Sequence, residues 1–368
     1  TGHSYTRSLR DFHNLYVKSN LIGSVLNQGN TLIDYSVGKA GDMSKWMRNK
    51  PSFVFGIDIS RDNIHNKIDG ACARYINKYK ESSNIFDALF VVGDSTLNIK
   101  NGSAFTNEKD RNVSNAVFGI SPKEKVLIGK GVNKSYGKGS TGFDVGSCQF
   151  ALHYMFENRN TLHNFMNNLS QTISIDGHFV ATCYDGNQVF KLLANKEKGQ
   201  GVILEENNTK IFEISKQYDE TGFPDDENSL GYSINVYQET INKYFVEYLV
   251  NYNYLVRVME DYGFIPLSDE EASHLNMPYS SGLFSTLYSQ LEKDKNTKYY
   301  GKALEMSPNE KKISFLNRYM IFKKVRNVDG SQIMKLAMKN YEFDEPVVKP
   351  IEEDKDTKTK KSGKKRII

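Results

Sequence analysis

The stretch IDYSVGKAGD (33–42) decides the fold. An apolar run over residues 31–37 meets a turn punctuated by Gly38 and Gly41. Asp42 follows, and then MSKWMRNK (43–50), which reads as a helix. A strand that ends in a tight glycine turn and feeds a helix can cradle a nucleotide. The glycines let the backbone approach a ligand, and the helix start offers free N–H groups. One glycine-rich turn says little alone. Its weight comes from SFVFGIDIS (52–60), a second strand ending in Asp58. An acid at the tip of the second strand of an open α/β sheet is placed to accept hydrogen bonds from a ribose diol. A Rossmann-like core with an incidental loop acid is the plainer alternative.

Outward from this core, DFHNLYVKSNLIGSVL (11–26) carries apolar residues at helical spacing and leads into the first strand. The pattern predicts strands over 31–37, 52–58, 85–92, 143–150 and 177–184, the last opened by an Asp176-Gly177 turn. Helices are predicted over 61–81 and 163–175. The repeating strand–helix order implies a parallel, doubly wound sheet. Residues 96–142 are too long for an ordinary connection and hold Lys123, Lys125, Lys130, Lys134 and Lys138. They read either as a basic lid over a phosphate-rich substrate or as a solvated, mobile insertion. Further on, 229–237 and 243–252 read as paired antiparallel strands, 254–262 and 282–295 as helices, and 314–325 as a last strand. The division expected is an N-terminal helical segment (1–26), a main domain (27–345) and a disordered, charged tail (346–368). Within the tail, KTKKSGKKR (358–366) would suit nucleic acid, although charge runs are commonly just solvated.

At 368 residues the chain can hold one large α/β domain with insertions or two small ones. Its 22 Tyr and 21 Phe suit wet, base-stacking sites. A net charge of +4 permits an anionic partner without demanding one. Cys72, Cys148 and Cys183 fit no metal-ligand spacing, so buried, reduced thiols and no metal are expected. No apolar run approaches ~18 residues and no secretory signal stands out, so neither a membrane span nor secretion is expected. The chain opens on Thr1 rather than Met, and we expect it to be a piece of a longer polypeptide.

The turn narrows the choice of cofactor. Dinucleotide turns space their glycines as GxGxxG, whereas Val37-Gly38-Lys39-Ala40-Gly41-Asp42 lacks the third glycine. DxxxGxxGD, starting at Asp34, suits S-adenosylmethionine, which has an ammonium, a sulfonium and an adenosine but no pyrophosphate. Asp34 and Asp42 can meet the ammonium, Asp58 the ribose, and Asp94 with Ser95 the adenine. A nicotinamide dinucleotide is the alternative. The expected fold is therefore α/β, a class I S-adenosylmethionine-dependent methyltransferase with an antiparallel C-terminal extension.

CQFALHYMFE (148–157) should stand over the methyl group and is aromatic and polar at once: Gln149, Phe150, His153, Tyr154, Phe156. It lacks the Asn/Asp-Pro-Pro-aromatic box of amino-directed methyltransferases, and a flat aromatic pocket suits a purine. RDFHNLYVKSNLI (10–22), IDYSVGKAGD, FGIDIS (55–60), CQFALHY (148–154) and EYLVNY (247–252) stand in the order found in mRNA cap guanine-N7 methyltransferases, which this chain resembles over about residues 9–325. IDGACARY (68–75), the run 223–252 and ISFLNRYMIFKK (313–324) look most like the capping enzymes of large DNA viruses.

The resemblance implies roles. Lys18 would reach the methionine carboxylate, and Gly38, Asp42, Asp58, Asp94, Ser95 and Gln149 would complete the cofactor site. Asn14 falls where relatives contact cap or RNA. The run from Arg10 to Lys18 is one residue longer than their pattern. Lys39 and Arg74 would face the cap triphosphate, Phe150, His153 and Tyr154 would form the cap pocket, and Glu247 would read the guanine edge, with Tyr319 a partner from the last strand. Ala40 replaces the commoner Gly, tolerable if φ stays negative. Tyr184 stands where many relatives have Pro beside the base.

Because N7 already carries a lone pair, no base is needed, and the lack of a catalytic triad fits. Implied partners are a capped 5′ mRNA end, triphosphatase and guanylyltransferase domains in the same polypeptide or complex, and a stimulatory subunit. The implied setting is a viral factory in the host cytoplasm or a virion. A methyltransferase for another nucleobase or a small molecule, and a silent RNA-binding scaffold, are the alternatives.

Overall fold

Strand β1 (Thr31–Asp34) pairs in parallel with β2 (Phe53–Asp58) on one side and β4 (Phe143–Gln149) on the other. The sheet extends past β2 to β3 (Asp87–Val92) and past β4 to β5 (Ile173–Tyr184), all parallel. β12 (Asn317–Lys324) then runs antiparallel to β5. Its outer edge is shared by β10 (Phe264–Pro266) and β11 (Ser281–Leu283). Strand order reverses between β1 and β4, the switch point at which open α/β sheets bind ligands. This computed structural model describes residues 4–125 and 129–339. The tail expected over 346–368, with its basic run, lies outside the described residues.

Helices cover both faces, which is why the strands read as nearly continuous apolar runs. Ile33, Phe53, Phe55, Phe179, Ala181 and Phe322 enter one core beneath helices Glu108–Val117, Arg159–Thr172 and Tyr252–Asp261. Their neighbours Leu32, Val54, Val180 and Ile321 enter the other, beneath the N-terminal helices, Met43–Asn49 and Phe284–Glu292. The alternation of strand side chains divides them between the two cores. Cys148 and Cys183 are buried free thiols, and Cys72 is half-buried.

The N-terminal helix departs from the expected regular one. Arg7–Asp11 and Ser19–Val25 are α-helical, but Phe12–Lys18 between them is a π-helix. Widening each ring by one residue absorbs one additional residue without ending the helix. This is the physical answer to the extra residue between Arg10 and Lys18.

The helix expected over 61–81 is two, Arg61–His65 and Ala71–Glu81. It breaks where Gly70 packs so closely on Asn66 that a Cβ there would lie 2.6 Å from the Asn66 backbone. The described part of segment 96–142 sends apolar side chains into the core and leaves Lys123, Lys130, Lys134 and Lys138 exposed. Val113, Ala116 and Val117 are core residues, and Lys134 bonds Asp87, 2.9 Å away, at the amino end of β3. That end is remote from the switch point.

A second sheet was half foreseen. β8 (Ser233–Gln238) and β9 (Lys243–Tyr248) pair antiparallel as expected, and β6 (Gly201–Glu206) and β7 (Thr209–Lys216) extend them to four strands. β6 and β7 are joined by Asn207-Asn208, both at positive φ (48° and 62°). That is the two-residue turn whose twist suits a hairpin, and Asn tolerates it.

Candidate active site

The first half of the site is built on the carboxyl ends of β1, β2 and β3. Gly38 has φ +58°, and a Cβ there would meet nothing within 4 Å; the turn opens onto free space. Its N–H donates to Asp58 Oδ2 (2.9 Å), while Asp58 Oδ1 accepts from Ser60 N–H (2.9 Å) and Asn63 Nδ2 (3.1 Å). These three donors fix the carboxylate at the tip of β2. Asp42 is buried and lies 2.9 Å from Lys18 Nζ and 3.3 Å from Lys45 Nζ. Burial alone would raise its pKa, but the two ammonium groups outweigh it and hold the carboxyl below its ordinary value. Burial, reinforced by the Asp42 charge, pushes Asp34 up to about 8, against the Ser36 N–H that donates to it at 3.0 Å.

Ala40 corrects an expectation. Its φ is +59°, in the left-handed region rather than at negative φ. Such a residue pays roughly 1–2 kcal/mol for its Cβ. Burial of the methyl returns about 0.8 kcal/mol of that.

The second half is a cavity of about 340 Å³ at the ends of β4 and β5, roofed by the second sheet and closed by the N-terminal helix. Asn14, Phe150, His153, Tyr154, Tyr184 and Glu247 all line it. Phe212, Val236, Gln238 and Phe245 join Glu247 from one face of the second sheet, as the pairings Phe212↔Gln238, Val236↔Phe245 and Ile234↔Glu247 require. Glu247 therefore faces inward and is 9% exposed. Its Oε1 lies 3.5 Å from His153 Nε2. Burial works against charge on both, raising Glu247 to about 8 and lowering His153 to about 3. Burial, then the nearby Glu247 and Asp58 carboxylates, raise the Tyr154 phenol to about 12.

Phe150 ties the halves together. It holds φ +54°, rare for an aromatic residue, with its N–H donating to the Thr182 carbonyl (2.9 Å) and hydroxyl (3.0 Å). This aims its ring against His13 (centroids 5.3 Å, stacked), with Lys18 Nζ 5.9 Å from its centroid.

Other expected residues stand elsewhere. Tyr319 is fully buried, and its hydroxyl donates to the Tyr279 carbonyl at 2.9 Å, so it is a core residue; the β12 side chain at the cavity is Asn317. Lys39 is bonded to both Asp69 oxygens (2.9 and 3.0 Å), and Arg74 is exposed on the next helix; neither lines the cavity. Ser95 donates its hydroxyl to the Tyr35 carbonyl (2.7 Å) and is buried. Gln149 spends its amide on Ser147 Oγ (3.0 Å) and accepts from Thr182 Oγ1 (3.0 Å). Asp94 accepts from the Thr96 N–H and hydroxyl, at 2.9 and 2.6 Å.

The sequence reading missed Arg10, His13, Gln238 and Glu239, which also line the cavity. Period-two alternation from Ile234 through Val236 marks Gln238. Arg10 and Glu239 carry no local signal.

Residues 2–325 match the family model described as the mRNA (guanine-N(7))-methyltransferase domain. A probable mRNA-capping enzyme of Acanthamoeba polyphaga mimivirus is 25% identical over 353 residues, 89% of this chain and 28% of that protein. The mRNA cap guanine-N(7) methyltransferase of Caenorhabditis elegans is 27% identical over 200 residues, 52% of this chain and 43% of that one. The chain thus spans less than half the length of these relatives. Among solved structures, the CcbJ methyltransferase of Streptomyces caelestis is similar with a TM-score of 0.44 at 10% identity, covering 83% of this chain and 94% of that one. With residues 2–325 matched by the family model, this chain belongs to the mRNA (guanine-N(7))-methyltransferase domain family.

Proposed function

We propose that this domain methylates N7 of the guanine in a GpppN cap, producing cap 0, with S-adenosylmethionine as donor. The observation that carries the reading is the Glu247–His153 pair inside an aromatic cavity at the ends of β4 and β5. Guanine presents two donors, N1–H and the 2-amino group, beside one acceptor, O6. The two Glu247 oxygens accept from the donors, and an imidazole kept neutral by burial, with its proton on Nε2, donates to O6. Adenine offers a donor in place of O6, an acceptor in place of N1–H and no amino group at position 2, and is refused.

The open glycine turn fits the cofactor. Asp58 would take its ribose, Asp34 and Asp42 its ammonium, Lys18 its carboxylate, and Asp94 its adenine, with Ser95 and Gln149 supporting the strand ends around it. When bound, it supplies an electrophilic methyl on a sulfonium. The chain's own residues then act by placement. Phe150 and Tyr154 hold the purine plane, so that N7 approaches in line, and orientation alone can supply much of the rate. The Glu247 carboxylate favours the positive charge that grows on the purine. Arg10, at the cavity wall, meets the start of the triphosphate, with Lys39 and Arg74 farther out. The much longer mimivirus relative supports further capping domains working beside this one, in a viral, cytoplasmic setting. No helix among the described residues is long and apolar enough to cross a membrane.

The test is transfer of labelled methyl to GpppA, with the product digested and the methyl position assigned. Label at guanine N7 supports the reading; label elsewhere, or none despite measured cofactor binding, withdraws it. A pH dependence follows. Glu247 must be ionised to accept from both guanine donors, yet burial holds its proton up to about 8. In the wild type, kcat/KM for GpppA should therefore rise about tenfold per pH unit toward 8 and level above it. A flat profile between pH 6 and 9 would count against ionised Glu247 as the reader.

A further inference from the structure

A second carboxylate faces the same cavity. Glu239 stands in the turn between β8 and β9, its Oε2 out of contact with solvent and without a hydrogen-bond partner among the described residues. Its backbone N–H donates to the Ile211 carbonyl (3.1 Å), which anchors the turn to β7 while leaving the side chain uncommitted. A buried, unmatched acceptor is costly and calls for a donor.

The two acids lie at opposite ends of the cavity. Ile234 pairs with Glu247 across the second sheet, and Glu239 follows Gln238 at the far end of β8. Four residues of strand separate Ile234 from Gln238, ~13 Å at the usual rise. Between the ends run Tyr184, Phe212 and Phe245. Gln238 donates to the Tyr184 hydroxyl (3.2 Å), which holds that ring as a wall between the acids. A guanosine carries two pairs of adjacent donors: N1–H with the 2-amino group at the base, and the 2′- and 3′-hydroxyls at the sugar.

We propose that Glu239 receives the 2′,3′-diol of the cap guanosine and thereby selects a guanosine whose two hydroxyls are both free. The proposal rests on the guanine reading above. Inside an RNA chain the 3′ oxygen is esterified to phosphate. A guanosine joined through its 5′ end, as in a 5′–5′ cap, keeps both hydroxyls. A carboxylate accepts from a vicinal diol as it would from two adjacent N–H groups, but repels a 3′-phosphate brought against it. Arg10, on the facing helix, is free to meet the 5′ phosphates.

The experiment compares kcat/KM on GpppA and on its analogue with a 2′,3′-dideoxy cap guanosine, for wild type, Glu239→Gln and Glu239→Ala. Wild type should use the dideoxy cap about 10- to 100-fold less well, the value of a hydrogen bond to a charged group. Glu239→Ala should lose a comparable factor on GpppA and no longer separate the two caps, with Glu239→Gln between. Binding of S-adenosylmethionine should be unchanged. A wild type that treats both caps alike, or a Glu239→Ala variant that still separates them, overturns the proposal. A wild type that binds cofactor but methylates neither cap overturns the guanine reading itself, and the proposal with it.

Discussion

Glu247→Ala should lower kcat/KM on GpppA by about 10²- to 10⁴-fold, two charge-assisted hydrogen bonds at roughly 1.5–3 kcal/mol each. The carboxyl is almost fully buried, so bulk water cannot stand in for the lost acceptors. Glu247→Gln should be nearly as poor, because its amide nitrogen would set a donor against a donor. Cofactor binding should persist in both variants, since the Gly38–Asp58 turn lies on other elements. An inosine cap, which lacks the 2-amino group, should cost wild type about tenfold and the Ala variant almost nothing. The checks are steady-state kinetics on the two caps and calorimetry of cofactor binding. Activity of the Ala variant within tenfold of wild type would remove Glu247 from the role.

The second large effect concerns stability. Asp185, 2% exposed, accepts from Arg318 Nε at 2.8 Å and from the N–H of Gln188 at 3.0 Å. Arg318 also reaches Ser281 Oγ (3.1 Å) and lies over the Tyr252 ring at 4.7 Å. Asp185 bridges to Val250, just past β9, so this pair sits where the two sheets join. Asp185→Ala would leave the guanidinium without its countercharge. Such losses cost about 3–5 kcal/mol when fully buried, and we place this one at about 2 kcal/mol because Arg318 is partly exposed and keeps two contacts. Spread over the unfolding entropy of a domain matching residues 2–325, that is a fall of about 3 °C in Tm. Asp185→Ala combined with Arg318→Met should recover part of it, since a pair replaced together leaves no stranded charge. KM for the cap should rise as well, because Tyr184 is the next residue. Thermal melts of the single and double variants decide it; an Asp185→Ala melt within about 1 °C of wild type would refute the account.

The parts legible in sequence share one property: their chemistry is local. The glycine turn, the acids at the strand tips and the alternation in β8 and β9 each occupy a few consecutive residues; Gly38 N–H meets Asp58, and β8 pairs with β9. The β6–β7 hairpin is carried by an equally local signal, Asn207-Asn208 between alternating runs. Tyr319 shows what periodicity leaves open. It shares the parity of Asn317, but two residues further along β12, where Gly282 pairs with it, the ring packs in the core cluster that holds Phe284 and Leu287. Strand parity sets the face and not the depth. Lys39 and Asp69 are thirty residues apart, and their bond exists because the helix breaks at Gly70. Glu239 acquires meaning from the opposite wall of the cavity, which no neighbouring residue encodes.

The π-helix acts as a vernier between two docked ends. His13 is fixed by Ser314 (2.8 Å) and Phe150, and Lys18 by Asp42, five residues away along one helix. In a regular α-helix each residue turns the chain by about 100°, so trimming one residue between them would swing one anchor off its partner by that angle. The wider rings take up the surplus where it arises. The His13 and Lys18 ends of this segment thus keep separate alignments, one toward the cavity and one toward the glycine turn, with the surplus residue held between them.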